Sequence, residues 1–139
     1  MFQNILVPVD LTDRHHRALE IAANLARQNG GQVTLLHVIE LIQGLPMEEE
    51  KTFYQRLERK ARAYLDRLRG TLEEQKVPFD VEILFGDRAQ EIIRHATQSG
   101  TNLIVLTSRR VDMTHPGAGW GTLSFKLSLL SQCPILLVK

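Results

Sequence analysis

Five short apolar runs alternate along the chain with longer segments in which apolar residues recur every three or four positions. The runs, Ile5 to Val9, Val33 to Ile39, Phe79 to Phe85, Leu103 to Leu106 and Ile135 to Val138, are rich in the β-branched and large aliphatic residues that suit strands. Between the first two, Ala18, Ile21, Ala22 and Leu25 keep helical spacing, with Thr12 or Asp13 as the expected cap and Asn29-Gly30-Gly31 as the stop. A second helix carries Phe53, Leu57, Ala61, Tyr64, Leu65, Leu68 and Leu72 on one stripe. It starts in the solvated Glu48-Glu49-Glu50-Lys51 cluster and ends before Val77-Pro78. The third follows Gly86, takes Asp87 as its cap and turns Ala89, Ile92, Ile93 and Ala96 inward. The fourth is predicted to start near Gly121 and to end before Pro134, with Leu123, Leu127 and Leu130 inward.

Strict alternation of strand and helix predicts an α/β fold: one five-stranded parallel sheet, Rossmann-like, with helices on both faces. Such a sheet takes the order 3-2-1-4-5 or 2-1-3-4-5, and strand texture separates them. Phe79-Asp80-Val81-Glu82-Ile83 alternates apolar with acidic residues, as an edge strand does, whereas Val33 to Ile39 is nearly continuous apolar and belongs further in. The order 3-2-1-4-5 follows. Strands 1 and 4 are then neighbours whose helices leave on opposite faces, and a crevice opens at their carboxyl ends. Asp10 stands at one lip and Thr107 at the other. The last strand is an edge too, yet Ile135, Leu136, Leu137 and Val138 carry no charge or proline to blunt it. Pairing with a second copy in a homodimer is the expected cure; protection by Lys139 is the alternative.

At 139 residues and 43% hydrophobic, the chain fits a single domain over residues 1–139, and a domain of this size buries roughly 68% of the surface of its unfolded chain. Seventeen basic and sixteen acidic residues leave a net charge of +1. No overall field exists to hold nucleic acid or an anionic membrane, so any anion must be held locally. Cys133 is the single cysteine, which excludes an internal disulfide and suits a reducing compartment. No basic leader precedes a long apolar stretch, and no apolar run nears the roughly 20 residues of a membrane span. A cytoplasmic protein is expected, without membrane or nucleic-acid partners.

The opening Ile5-Leu6-Val7-Pro8-Val9-Asp10, then Leu36-His37-Val38, Gly86-Asp87-Arg88-Ala89 with Glu91-Ile92-Ile93, Asn102 to Leu106, and Cys133-Pro134-Ile135-Leu136-Leu137-Val138 follow in order along the whole chain. In this sequence of motifs the chain resembles the universal stress protein family, whose domains share the fold of the adenine nucleotide alpha hydrolase-like group. The resemblance implies a dimeric regulatory module that binds an adenine nucleotide, ATP, ADP or AMP, with Mg²⁺ accompanying the phosphates. It implies a site in the crevice of strands 1 and 4. Pro8, Val9 and Asp10 would stand on one side with Val38, and Leu106, Thr107, Arg109 and Arg110 on the other. Gly121, Thr122, Leu123 and Ser124 would close it at the start of the last helix.

The family's nucleotide-binding branch carries a G-x-x-G loop after strand 4 and a later Gly followed by Ser or Thr. Gly121-Thr122 matches the later element, but Thr107 and Arg110 stand where the two loop glycines would be, and the spacing to Gly121 is one residue longer. A β-branched Thr and a long Arg do not allow the close backbone approach of glycine. Arg109 and Arg110 offer guanidinium groups instead, and Gly117 and Gly119 give the loop other pivots.

Each candidate also has a plain structural reading. Asp10 could accept hydrogen bonds from a ribose or base edge, or cap the first helix. Val9 and Val38 could floor a base or simply fill the core. Thr122 beside Gly121 could meet an anion with Ser124, or serve as an ordinary N-cap. Trp120 is read as pinning its loop. His15 and His16 are read as neighbours pointing apart on a helix, His37 as a strand residue and His95 as part of an amphipathic helix. None has metal-ligand spacing, and no metal-only site is expected.

Neither G-x-S-x-G nor a Walker A loop occurs, so no enzyme is expected beyond slow, incidental ATP hydrolysis. Two alternatives remain at this level. One is a dimeric interaction protein of the same family that binds no nucleotide. The other is a phospho-acceptor receiver, disfavoured because Asp10 has no acidic neighbour and strand 3 reads as an edge.

Overall fold

A computed structural model describes residues 1–110, 112–115 and 122–139. Its elements run β1 (Asn4–Pro8), α1 (His16–Gln28), β2 (Gln32–Glu40), α2 (Lys51–Glu74), β3 (Phe79–Gly86), α3 (Arg88–Gln98), β4 (Leu103–Thr107), α4 (Leu123–Leu130) and β5 (Ile135–Val138). The strands form one all-parallel sheet in the order β3-β2-β1-β4-β5, as their texture predicts.

Successive strand residues point to opposite faces, and the core divides accordingly. Ile5, Val7, Val33, Leu35, Leu103 and Val105 meet α1 and α2, where Ala18, Leu19, Ala22 and Leu65 are fully covered. Leu6, Leu36, Val38, Ile104 and Leu106 face the other way, onto Ala89, Ile92 and Ala96 of α3 and Leu127 of α4. The alanines of α1 let that helix lie close against the sheet, while α2 uses larger side chains to span to the β2–β3 half.

Local chemistry sets the element ends. Gly30 takes a positive φ of 62° and closes α1, and a Cβ on Gly31 would come within 2.4 Å of the Gln3 carbonyl oxygen, where β2 starts beside β1. The Asn4 side chain donates to the Ser99 and Gly100 carbonyls, and its backbone N–H donates to Asn102 Oδ1 at 2.9 Å. These bonds fix the α3–β4 turn against the start of β1. Asp87 caps α3 by accepting from the Gln90 N–H at 3.0 Å, as expected.

Two helix expectations need correction. Neither Thr12 nor Asp13 caps α1: its N-cap is His15, which makes no capping bond, because Thr12 is already drawn into a turn by the Asp10 carboxylate. In α4, Leu127 is buried as predicted and Leu123 half-buried, but Leu130 is 50% exposed. The helix has only eight residues, starts at Leu123 and packs through one turn, so its last leucines project past the core. Gly121 lies outside the described residues, as do Gly117, Gly119 and Trp120.

Candidate functional site

The carboxyl ends of β1 and β4 open into a cleft of about 740 Å³. Strand register builds its floor. Val9 extends β1 by donating its N–H to the Leu36 carbonyl at 2.9 Å, after which the chain leaves the sheet at Asp10. Ser108 extends β4 in the same way, donating to the Val138 carbonyl at 2.8 Å. Pro8, Val9, Val38 and Leu106 supply buried apolar wall. Val9 belongs to the core half under α1 and Val38 to the half under α3, so they reach the cleft from opposite faces of the sheet.

The Asp10 carboxylate is bonded on both oxygens. Its Oδ1 accepts from the Thr12 N–H at 3.2 Å, the Thr12 hydroxyl at 2.5 Å and His15 Nε2 at 2.6 Å, and its Oδ2 accepts from Arg14 at 2.9 Å. Burial alone would raise this carboxyl. The bonds from Thr12 and His15, with the charges of His15 and Arg14, outweigh it and hold Asp10 well below the usual carboxylate range. Tyr64 of α2 donates to the Thr12 carbonyl oxygen, anchoring the loop from the far side.

His15 was not legible as a site residue. Rather than riding on a helix, it sits in the turn before α1 with 3% exposure and bridges the two lips of the cleft, from Asp10 to Thr107 Oγ1 at 2.9 Å. Its Nε2 also lies 3.1 Å from the Asp10 N–H, so the ring meets both the backbone and the carboxylate of Asp10. His37 is buried in β2 and its Nδ1–H donates to the Val9 carbonyl at 2.8 Å. Burial pushes the His37 imidazole below its ordinary value, with the Val9 bond acting in the opposite direction.

On the β4 side the polar groups are hydroxyls and cations. Thr122 caps α4 through its hydroxyl, which accepts from the Phe125 N–H at 3.4 Å, so the plain reading of this residue is realised. Ser124 donates to Ser108 Oγ at 3.1 Å, and Lys139 reaches Ser108 Oγ at 3.3 Å and the Arg109 carbonyl at 3.0 Å. Five basic side chains, Arg14, Arg88, Arg109, Arg110 and Lys139, line the cleft against two carboxylates, Asp10 and Asp112. The charge that is nearly balanced over the whole chain is locally positive here.

Eleven residues expected at the site, Pro8, Val9, Asp10, Val38, Leu106, Thr107, Arg109, Arg110, Thr122, Leu123 and Ser124, all line this cleft; Gly121 lies outside the described residues. Arg14, His15, Arg88, Ser108 and Lys139 join them unannounced. Among the described residues no group of three or more His, Cys, Asp or Glu could hold a metal ion, and no helix is long and apolar enough to cross a membrane.

Residues 1–139 match the family model described as the Universal stress protein family. A universal stress protein encoded in the QAH/OAS sulfhydrylase 3' region of Thermus aquaticus is 31% identical over 144 residues, covering all of both chains. Among solved structures, hypothetical protein MJ0577 superposes with a TM-score of 0.83 at 24% identity, over 100% of this chain and 96% of that one. The universal stress protein from Archaeoglobus fulgidus in complex with dAMP gives 0.75 at 20% identity, over the whole of both chains. A family protein from Arabidopsis thaliana with AMP bound gives 0.71 at 23% identity, over 97% and 90%.

Proposed function

Because the chain belongs to the universal stress protein family, we propose that the cleft between β1 and β4 takes an adenine nucleotide and that the protein is a nucleotide-responsive regulatory module rather than an enzyme. The observation that carries this reading is a single cleft that brings apolar wall at Val9, Val38 and Leu106 and the Asp10 carboxylate together with the hydroxyls and cations of Ser108, Ser124, Arg109 and Lys139. A nucleoside suits the apolar wall and its phosphates the hydroxyls and cations. The dAMP and AMP complexes of the two relatives support the ligand class.

Within this reading Asp10 accepts from a ribose hydroxyl or a base edge through Oδ2. That oxygen's present partner is the half-exposed Arg14, an ion pair worth only about 0–1 kcal/mol and easily exchanged. Mg²⁺ would arrive on the phosphates of a di- or triphosphate, since the described residues hold no metal cluster of their own. Occupancy biases the surface shown to partners only as far as the ligand prefers one arrangement of the protein over another. ATP turnover, if measured by phosphate release, is slow and incidental.

The proposal extends to a homodimer. β5 is an open edge of the sheet, and Leu129, Leu130, Leu136 and Leu137 stay exposed beside it, an apolar strip suited to a second copy.

The test is to denature freshly purified protein, identify any released nucleotide by mass, and titrate ATP, ADP and AMP calorimetrically. An adenine nucleotide carried through purification, or binding at or below millimolar concentration that weakens in Asp10→Ala, is the expected result. An empty protein with no titration heat at millimolar nucleotide overturns it. That outcome favours the nucleotide-free interaction reading, whose support is that Thr107 and Arg110 occupy the loop positions of the two family glycines and that Thr107 is bonded to His15.

A further inference from the structure

The outer face of α2 is not charged in the way that stabilises a helix. From Lys51 to Leu72 it carries seven of the chain's seventeen basic residues against two acidic ones, Glu58 and Asp66. Its first turn has no acidic residue and its last turn no basic one. Lys51 opens it and Glu73 and Glu74 close it, the reverse of what the helix dipole favours. Elsewhere the chain holds ten basic and fourteen acidic residues, so the small net charge of the whole conceals one strongly positive surface.

The two sides of that face differ. On one, Arg62 and Arg69 each have a carboxylate one turn back, Glu58 at 3.9 Å and Asp66 at 3.8 Å. On the other, Arg56, Lys60, Ala63 and Arg67 are all exposed and share one helical row about 16 Å long. Neither these three cations nor Arg59 beside them enters an ion pair among the described residues. Like charges at i and i+4, as at Arg56 and Lys60, oppose helix formation, so the row does not serve α2 itself. Arg67 is further held in place, its guanidinium 5.6 Å from the centre of the Tyr64 ring. The Tyr64 hydroxyl in turn bonds the Thr12 carbonyl, in the loop that follows Asp10.

We infer that this row is a docking surface for an acidic helical segment of a partner protein, laid along α2 with its carboxylates on Arg56, Lys60 and Arg67 and its backbone drawn close over the small side chain of Ala63. Guanidinium groups suit such a partner because they meet a carboxylate through two parallel hydrogen bonds. Other polyanions fit less well. Among the described residues no exposed large apolar side chain lies on α2, so the face has nothing to stack on bases or to enter a lipid surface. A polymer longer than the row also runs onto a surface where acid exceeds base. The inference is independent of what the cleft binds.

The test follows, by fluorescence anisotropy on the full chain, a short labelled Glu/Ala helical peptide, its Gln/Ala counterpart, oligouridylate and phosphatidylserine vesicles. Three proteins are compared: the wild type, the combined Arg56→Gln, Lys60→Gln and Arg67→Gln variant, and the combined Lys51→Gln, Arg62→Gln and Arg69→Gln variant, which removes as much charge from the other side of the same helix. The Glu/Ala peptide is expected to bind the wild type, more weakly as salt rises, and to lose at least tenfold in affinity for the first variant and less than twofold for the second. The first variant should unfold in urea no earlier than the wild type. Absence of Glu/Ala binding at low salt, equal binding of the Gln/Ala peptide, or equal losses in the two variants overturns the docking row. Tighter binding of oligouridylate or of the vesicles overturns its assignment to an acidic protein. A first variant that unfolds earlier than the wild type assigns the cations to the fold and overturns the inference as well.

Discussion

His15 and Thr107 lie ninety-two residues apart in sequence and 2.9 Å apart in space, Nδ1 to Oγ1. Since the other side of the ring holds Asp10, this one imidazole joins the exit of β1 to the exit of β4. The two lips of the cleft are therefore set by a single hydrogen-bonded chain rather than by independent loops.

Removing the middle of that chain should cost more than removing an end. His15→Ala leaves the Asp10 carboxylate and the Thr107 hydroxyl short of a partner and is expected to destabilise by about 1–3 kcal/mol, whereas Thr107→Val should cost about 1 kcal/mol. Urea unfolding of both single variants and the double variant measures this. The double variant should cost less than the sum of the two singles, because the shared bond is lost once.

Acid should weaken the fold in two separate ranges. Burial lowers the folded-state pKa of His37, so below about pH 6.5 the unfolded chain takes up a proton that the folded chain resists, and stability declines. Asp10, held low by Thr12, His15 and Arg14 against its burial, contributes stability that is complete above about pH 3.9 and is lost as pH falls toward its folded value. Denaturant titrations from pH 8 to about pH 2 should show the first decline in full and the onset of the second. His37→Gln, which can still donate to the Val9 carbonyl, should remove the first and leave the second.

The hydroxyl of Tyr54 fixes the segment that joins β2 to α2. It accepts from the Ile42 N–H at 3.0 Å and donates to the Leu45 carbonyl at 2.6 Å, on a side chain only 1% exposed. Tyr54→Phe keeps the edge-on contacts with Phe53 and Phe85 but strands both backbone groups, at an expected cost of about 1–3 kcal/mol. Thermal unfolding should report the loss, and limited proteolysis should cut residues 41–50 faster.

Assembly has its own test. Leu129 is 70% exposed and Leu136 stands on the open edge of β5, so light scattering on the wild type should give a dimer and Leu129→Lys with Leu136→Lys a monomer. Unchanged circular dichroism would tie the effect to the interface. A monomeric wild type would overturn the dimer.

The sheet was legible because its signals are local or additive. The acidic alternation of Asp80 and Glu82 marks an edge, the apolar continuity of β2 marks a middle, and together they select the strand order. Asp10 and the residues of strands 1 and 4 followed from that order. His15 did not, because hydrophobic period assigns it to a helix, while its role depends on a turn shaped by Asp10 and Thr12 and on a partner in β4. Lys139 was read as a guard for an edge and not as a residue of the cleft; its reach across to Ser108 is a matter of side-chain length and direction that no periodicity encodes. Leu130 failed for the opposite reason, since its spacing is helical but α4 meets the core through Leu123 and Leu127 and its last turn projects past it.

The odd-and-even division of the strands has a consequence for how such a chain tolerates change over time. Ile5, Val7 and Leu35, the last two paired in register, are read by α1 and α2, while Leu6, Leu36 and Ile104 are read by α3 and α4. A volume lost on one side of the sheet is compensated by a neighbour on that same side, without disturbing the other. The sheet therefore acts as a partition between two sets of core substitutions, each repacked against its own helices, and both sets reach the cleft, one through Val9 and the other through Val38 and Leu106.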